Sequence, residues 1–579
     1  MPSRPASRST AAPVPSVPSA PAPSPAWLKP VVLTLLALAL LSMFSGEVAD
    51  GDTWFHLRTG AYVVRNHRLP APDPFSWTTY LGQPAYAGED ITRDLNLKHE
   101  WGAQAILYLV YAAGGFPGMV LFKAGCLTFF SGMVGWVVWR RTGRFYVAVA
   151  AAMAAGMIAR TSAADRPYLV TYALMALTLW ILERRRPLWV LPGLFVFWAN
   201  AHGGYFMGWV LMGGYCGEAL FQRLRGQPPK DEKTLWGASL LAILASGLNP
   251  TYFNVIPGLF AYRHSALQRS LKEWHSPGLW PPSWYSGLLF AGAATLLSRW
   301  RRVRASDVLL FAAFAALSLM AQRNVIFIGL IAPIAIASYL PEWKWPESKH
   351  LQWMRALRLA EFAVPLVLLA IAGQRIASGN AFQLRAAEWQ YPAGPVKFLT
   401  DHNVTTPLFN IYEWGGYLMW AGWPELKTFV DGRALNESVF ADYMKIAYNY
   451  RDAQALLDKY GVRVLLLEGF EYWTGRVYTL GAALSDPSQT KWKLVYQDKT
   501  GMVFMREPPP GVQPLNPGEV FTSLDAQCTD HVLHDPGRPG CALGLGDLYG
   551  KLGIRDRAAQ WLAAYDQIRN GTFHAAAPR

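Results

Sequence analysis

From Trp27 to Arg375 the chain repeats one arrangement: a run of mostly apolar residues, a short polar connection, then another run. A helix needs ~20 such residues to cross a bilayer, and inside hydrocarbon its backbone polar groups must be satisfied within the segment. The pattern therefore predicts a bundle of membrane helices. Candidate spans fall at 27–45, 117–139, 145–161, 167–182, 187–202, 204–221, 235–250, 284–299, 306–321, 324–340 and 359–375, about eleven in all. The expected fold class is mainly α, with a polytopic membrane domain over 26–376.

The basic residues order these spans. Arg140, Arg141 and Arg144 follow the second, and Arg184, Arg185 and Arg186 the fourth. Arg223, Arg225 and Lys230 follow the sixth, and Arg299, Arg301, Arg302 and Arg304 the eighth. Lys344, Lys349, Arg355 and Arg358 separate the tenth from the eleventh. All fall on one side if the N-terminus is cytoplasmic, because short cytoplasmic loops collect Lys and Arg. An odd number of spans then puts the C-terminal part outside the cytoplasm. The excess of 53 Lys+Arg over 39 Asp+Glu is thus a mark of topology, and nucleic acid is not an expected partner. Residues 1–25, rich in Pro, Ala and Ser, read as a disordered cytoplasmic tail. No small-x-small cleavage site follows the next run, which reads as an uncleaved first helix.

The opposite face receives most of the remaining polar chemistry. It holds the loop 46–101, which begins "GEVADGDTWFHLRTG" and carries Asp50, Asp52, His56, His99 and Glu100. It also holds "ADRPYL" (Asp165, Arg166), "WANAHGGYF" (Asn200, His202), "GLNP" (Asn249), the loop with Arg263, His264, Glu273 and His275, and "AQRN" (Arg323, Asn324). Ionisable groups gathered at span ends on one face suggest a site that opens to that side; helix termination is the plainer explanation at any single position. A loop as long as 46–101 is functional or disordered, and its many aromatics argue against disorder. "LPAPDPFSWTTYLGQP" reads as turns and extended chain, and "HEWGAQAILYLVYAAGG" as an amphipathic helix in the interface. In an extended segment Asp50 and Asp52 would point the same way, as a divalent cation or a sugar ring requires. Two aspartates around a glycine also form Asx-turns.

The motifs "DGDTWFHLRTG", "PDPFSWT", "HEW", "RPYL", "WANAHGG" and "NP" together resemble the GT-C membrane glycosyltransferases, most nearly bacterial members of unassigned substrate. The resemblance implies a polyprenyl-phosphate-linked sugar donor, an extracytoplasmic acceptor, and a bacterial inner-membrane location. It implies Asp50 as the base or acceptor-positioning group with Asp52 as its partner, and it allows a divalent cation, Mg or Mn, between them; the superfamily contains metal-dependent and metal-independent enzymes. Arg166, Arg323 and His202 would bind the donor phosphate, since an arginine fork offers phosphate two donors at once; snorkelling at a helix end is the alternative for both arginines. His56, His99, Glu100 and Asn200 would complete the substrate side.

After the last span the sequence changes character. "TPLFNI", "KTFVDGR", "VRVLLLE" and "WKLVYQDKTGMVFMR" read as strands, and "SVFADYMKIAYNY" and "DAQALLDKYG" as helices, giving a small α/β domain over 389–507. Within it "YEWGGY" faintly resembles the acceptor-binding motif of oligosaccharyltransferases, which makes Glu413 and Trp414 acceptor-side candidates, with Asp431 and Arg433 beside them; ordinary turns are the plainer reading. "LGLGDLYGKLGIRDRAAQWLAAY" resembles one tetratricopeptide-type helix pair over 520–570, able to cap the domain or dock a protein partner. Cys528 and Cys541 could pair in an oxidising compartment. The competing function class is a non-catalytic membrane scaffold for an extracytoplasmic complex, in which neutral substitutions at Asp50, Asp52 and Arg323 would be tolerated. A transporter fits less well, because the charges lie at span ends and not at mid-membrane.

Overall fold

The computed structural model of the chain describes residues 25–341, 350–405 and 407–573, and within 350–360 the backbone alone. All but the last residue of the predicted tail, and the basic side chains between the tenth and eleventh spans, lie outside the described part. In chain order the helical part runs α1 (Leu28–Phe44), α2 (Asp52–Asn66), α3 (Glu89–Lys98), α4 (Trp101–Thr142), α5 (Phe145–Ala159), α6 (Tyr168–Arg184), α7 (Leu191–Ala201), α8 (Phe206–Leu224), α9 (Glu232–Ala245), α10 (Val255–Ala261), α11 (Ala266–Ser270), α12 (Trp284–Ser298), α13 (Ala305–Met320), α14 (Ile326–Tyr339) and α15 (His350–Ala377).

All of these except α2, α3, α10 and α11 lie over predicted spans. Among the described residues three helical stretches, Glu89–Thr142, Phe145–Ser162 and Gln322–Tyr339, are long and apolar enough to cross a membrane. Leu28–Phe44, Leu188–Ala201, Trp284–Ser298 and Ala305–Met320 are apolar but shorter. Small residues bring helices together: a Cβ on Gly135 of α4 would lie 2.9 Å from the Ala148 carbonyl of α5. Gly115, at φ 59° and ψ −153°, breaks α4 between its expected interfacial half and its apolar half.

The polar residues sort to the two ends of this bundle. At one end Arg141, Glu183, Glu218, Arg304 and Asp307 form a continuous network, with Arg141 Nη1 2.9 Å from Asp307 Oδ2 and Arg304 Nη2 3.2 Å from Glu218 Oε2. At the other end lie Asp50, Glu100, Arg166, His202 and Arg323. The run of basic loops in the sequence anticipates this division, because alternate helix ends share a face.

Two local expectations are corrected. Asp50 and Asp52 do not lie in an extended segment. Asp52 opens α2, whose first turn is set by Asp50: its Oδ1 accepts the Asp52 N–H at 2.9 Å and its carbonyl accepts the Thr53 N–H at 3.1 Å. "KTFVDGR" is not a strand of the sheet. Its backbone is satisfied instead by the first loop and by one side chain. Thr428 N–H donates to the Phe75 carbonyl, and the Asn410 amide bonds Phe429 N–H and the Val430 carbonyl.

The sheet that does form has the order β1-β2-β4-β3, from β1 (Leu408–Asn410), β2 (Val464–Leu467), β3 (Lys493–Gln497) and β4 (Met502–Met505). β1 and β2 are parallel, and the other pairs antiparallel. The helices Glu519–His534, Gly540–Lys551 and Arg555–Arg569 are not appended to this unit. Val520, Leu524, Leu545, Tyr549 and Trp561 share one core with Phe409, Leu465 and Leu467, and a Cys528–Cys541 disulfide joins the first two helices.

Candidate active site

The turn that starts α2 and the turn that starts α6 meet at one guanidinium. Arg166 Nε donates to Asp50 Oδ2 at 2.8 Å, and Nη2 lies 3.0 Å from Asp52 Oδ2. Its third nitrogen, Nη1, lies 3.7 Å from Glu273 Oε2, on the connection between α11 and α12. Glu273 in turn faces Arg323 Nη1 at 3.4 Å, and the Arg323 guanidinium lies over the Trp274 ring at 4.7 Å. One exposed carboxylate thus bridges the two arginines.

Lys123 of α4 holds the two turns in place. Its buried ammonium reaches Asp165 Oδ2 at 2.8 Å and the Gly46 and Glu47 carbonyls at 3.0 and 3.3 Å. It therefore ties the chain just before Asp50 to the residue just before Arg166. A charge this deep is stable only when paired, which makes the link a rigid one.

Beside this pair lies a histidine ring around Glu100. His99 Nε2 and His202 Nε2 approach Glu100 Oε1 at 3.3 and 3.4 Å, and His56 Nδ1 approaches Oε2 at 3.6 Å. Gly204 N–H donates to His202 Nδ1 at 2.9 Å, so the neutral ring carries its proton on Nε2, toward Glu100. Burial opposes charge on Glu100, but the facing histidines win and hold its carboxyl well below the usual range. Burial lowers the His56 imidazole to about 4, leaving it neutral. At His99 burial is outweighed by Glu100, which raises the ring.

The C-terminal domain closes over the acid pair. A Cβ on Gly432, in the "VDGR" turn, would lie 2.2 Å from Asp52 Oδ1, and one on Gly416 would lie 2.7 Å from the Gly51 carbonyl. Only glycine lets these backbones approach so near. Burial pushes the Asp52 carboxyl up to about 7; Arg166 pulls it down, and Asp50 adds to the rise. Tyr412 is half-buried within the field of both Asp52 and Glu413. Glu413 accepts from the Tyr478 hydroxyl at 3.0 Å and is itself pushed by burial to about 7.

Some predicted residues take structural positions. Trp414 is buried and its indole N–H donates to the Gln390 carbonyl at 3.3 Å. Asn200 donates to the Val196 and Leu248 carbonyls and accepts from the Trp101 indole. Asp431 and Arg433 close on each other and on Asp73 of the first loop. The site residues that sequence reasoning passed over are Lys123 and Tyr412. Lys123 did carry a signal, an ionisable residue in an apolar span; Tyr412 carried none.

No protein-family profile and no curated protein sequence matches the chain. Solved structures do. The archaeal oligosaccharyltransferase AglB from Archaeoglobus fulgidus, in complex with an inhibitory peptide and a dolichol-phosphate, superposes with a TM-score of 0.53 at 10% identity, over 95% of this chain and 87% of that one. The apo form of an Archaeoglobus fulgidus oligosaccharyltransferase gives 0.51 at 12% identity, over 85% and 75%. What is shared is architecture: the chain has the GT-C fold of those enzymes.

Proposed function

We propose that the chain is an integral-membrane glycosyltransferase that moves a sugar from a polyprenyl-phosphate-linked donor to an acceptor outside the cytoplasm. One observation carries the reading: Asp50 and Asp52, 116 and 114 positions before Arg166 in sequence, converge on it at the bundle end that also holds Arg323 and His202. A lipid-linked donor keeps its chain in the bilayer and its phosphate at the interface, so the chemistry must occur at helix ends. The about eleven spans, the cytoplasmic N-terminus and the bacterial inner membrane belong to this proposal. The peptide and dolichol-phosphate held by the AglB neighbour are the same two classes of ligand.

In the proposed reaction an acceptor O–H or N–H attacks the anomeric carbon. The bond from that carbon to the phosphate oxygen breaks, and the lipid phosphate leaves with the electron pair. Asp50, supported by Asp52, takes the acceptor's proton. The Nη1 edge of Arg166 and Arg323 face the phosphate, where fixed donors stabilise charge that grows in the transition state; the His202 Nε2–H, expected as a third donor, is turned to Glu100 instead. Tyr412 and Glu413 line the acceptor side; Glu100 fixes the three histidines.

The test is transfer from polyprenyl-phosphate sugars by membranes carrying the full chain. Asp50→Asn should keep expression and melting while transfer falls ~10²-fold or more, the usual worth of a positioned base. Transfer by that variant at the wild-type rate would remove Asp50 from the chemistry. For the scaffold reading, deletion of 520–570 is not a clean discriminator, because those helices supply part of the domain core.

A further inference from the structure

The acid pair of a GT-C fold invites a divalent cation, and here the residues do not fit one. Ions of the Mg or Mn kind take several oxygen ligands at ~2.0–2.3 Å around a single point. The oxygens of Asp50 and Asp52 converge instead on a guanidinium. Asp50 presents Oδ2 to Arg166 Nε at 2.8 Å, and its Oδ1 is turned to the Asp52 N–H. Asp52 presents Oδ2 to Nη2 at 3.0 Å, while its Oδ1 packs on the Gly432 backbone. Glu273 faces the remaining nitrogen.

The neighbouring carboxylates have partners elsewhere. Asp165 pairs with Lys123 at 2.8 Å, and Glu100 is ringed by His56, His99 and His202. Among the described residues no group of three or more His, Cys, Asp and Glu stands ready to hold a metal. A cation entering between the aspartates would have to expel an arginine that meets three carboxylates, one at each nitrogen.

We propose that Arg166 is the resident cation of this site: a fixed side chain that takes, between Asp50 and Asp52, the place a divalent ion would hold. The inference deepens the transferase reading and rests on it for what the cation serves. The aspartates are held apart and aligned by a planar fork, with a fixed direction that an ion lacks. The cation cannot be lost by dilution, and metal binding and Arg166 exclude each other.

Manganese binding to the purified full chain in lipid nanodiscs, followed by electron paramagnetic resonance, tests this without any sugar donor. Wild type should show no bound Mn²⁺ that Asp50→Asn removes. Arg166→Ala should gain one Mn²⁺ per chain, and Arg166→Ala with Asp50→Asn should lose it again. One Mn²⁺ bound by wild type and lost in Asp50→Asn overturns the proposal, as does a folded Arg166→Ala that binds none. The wild-type measurement stands even if Arg166→Ala fails to fold. In the transfer assay, exhaustive chelation should change the wild-type rate less than twofold. A loss of tenfold or more that Mn²⁺ restores overturns the proposal while leaving the transferase reading intact; the reverse holds if binding behaves as stated but no transfer is found.

Discussion

Arg166 stands between Asp50 and Asp52, and Arg433 between Asp73 and Asp431. The two clusters have one composition, and each joins a residue early in the chain to one far along it. Their surroundings separate them. At Arg433 the side chains are 4% exposed, and those of Asp73 and Asp431 0% and 3%. Four hydrogen bonds of 2.7 to 3.1 Å engage four of the five N–H groups of the guanidinium, which also stacks over Phe75 at 5.4 Å. At Arg166 the side chain is 28% exposed, with Asp50 at 16% and Asp52 at 26%. Each aspartate there gives one oxygen to the arginine. Burial disfavours charge on Asp431, but Arg433 overrides it and lowers the carboxyl; at Asp52 burial prevails and the carboxyl rises to about 7. Two aspartates and an arginine therefore make a sealed rivet at Arg433 and a part-exposed, less fully bonded cluster at Arg166.

Thermal melting of the full chain should show the largest effect. Arg433→Ala leaves two buried carboxylates, Asp73 and Asp431, without a charged partner and should cost ~3–5 kcal/mol, enough to lower yield and melting temperature sharply. Asp50→Asn should leave melting nearly unchanged, since a partly exposed pair contributes ~1 kcal/mol or less. Equal destabilisation by both variants would erase the distinction between the clusters.

Lys123 comes next, because it belongs to the open site yet is sealed like the rivet. Lys123→Met should cost about 3 kcal/mol by stranding Asp165, and Lys123→Met with Asp165→Leu should recover much of it. The double variant should still transfer poorly, since Asp50 and Arg166 lose their common anchor. Full transfer by the double variant would show that the anchor does not position the site.

The gentlest test is pH. Asp52 supports Asp50 as the base only when it is itself ionised, and its carboxyl is raised to about 7, so its charged form is scarce below that value. Transfer should rise about tenfold per pH unit on the acid side and level off above about 7. The Arg433 cluster, with Asp431 lowered, should stay charged throughout that range. A rate that stays flat down to the ordinary carboxylate range near pH 4 would show that the charge on Asp52 does not support the base.

The helix positions were legible because apolar runs of membrane length allow little else, and the basic loops sorted the ends. "DGDTWFHLRTG" and "RPYL" were legible as polar chemistry at one face. The pairing was not: which aspartate meets which arginine depends on contacts more than a hundred residues apart. The start of α2 was half legible: the Asx-turn from Asp50 Oδ1 to the Asp52 N–H was open beside an extended segment, but the helix that follows it was not legible. "KTFVDGR" has the composition of a strand, but Asn410 and the first loop supply its hydrogen bonds.

The most direct measurement is a structure of the full chain in lipid with a bound polyprenyl phosphate. The phosphate should lie at the bundle end that carries Asp50, within ~3 Å of Arg323 or of the Nη1 edge of Arg166, with Glu273 displaced from between them. A phosphate seated at the Arg141 and Arg304 end, or a saturating lipid that leaves Glu273 bridging the two arginines, would contradict the proposed transfer site.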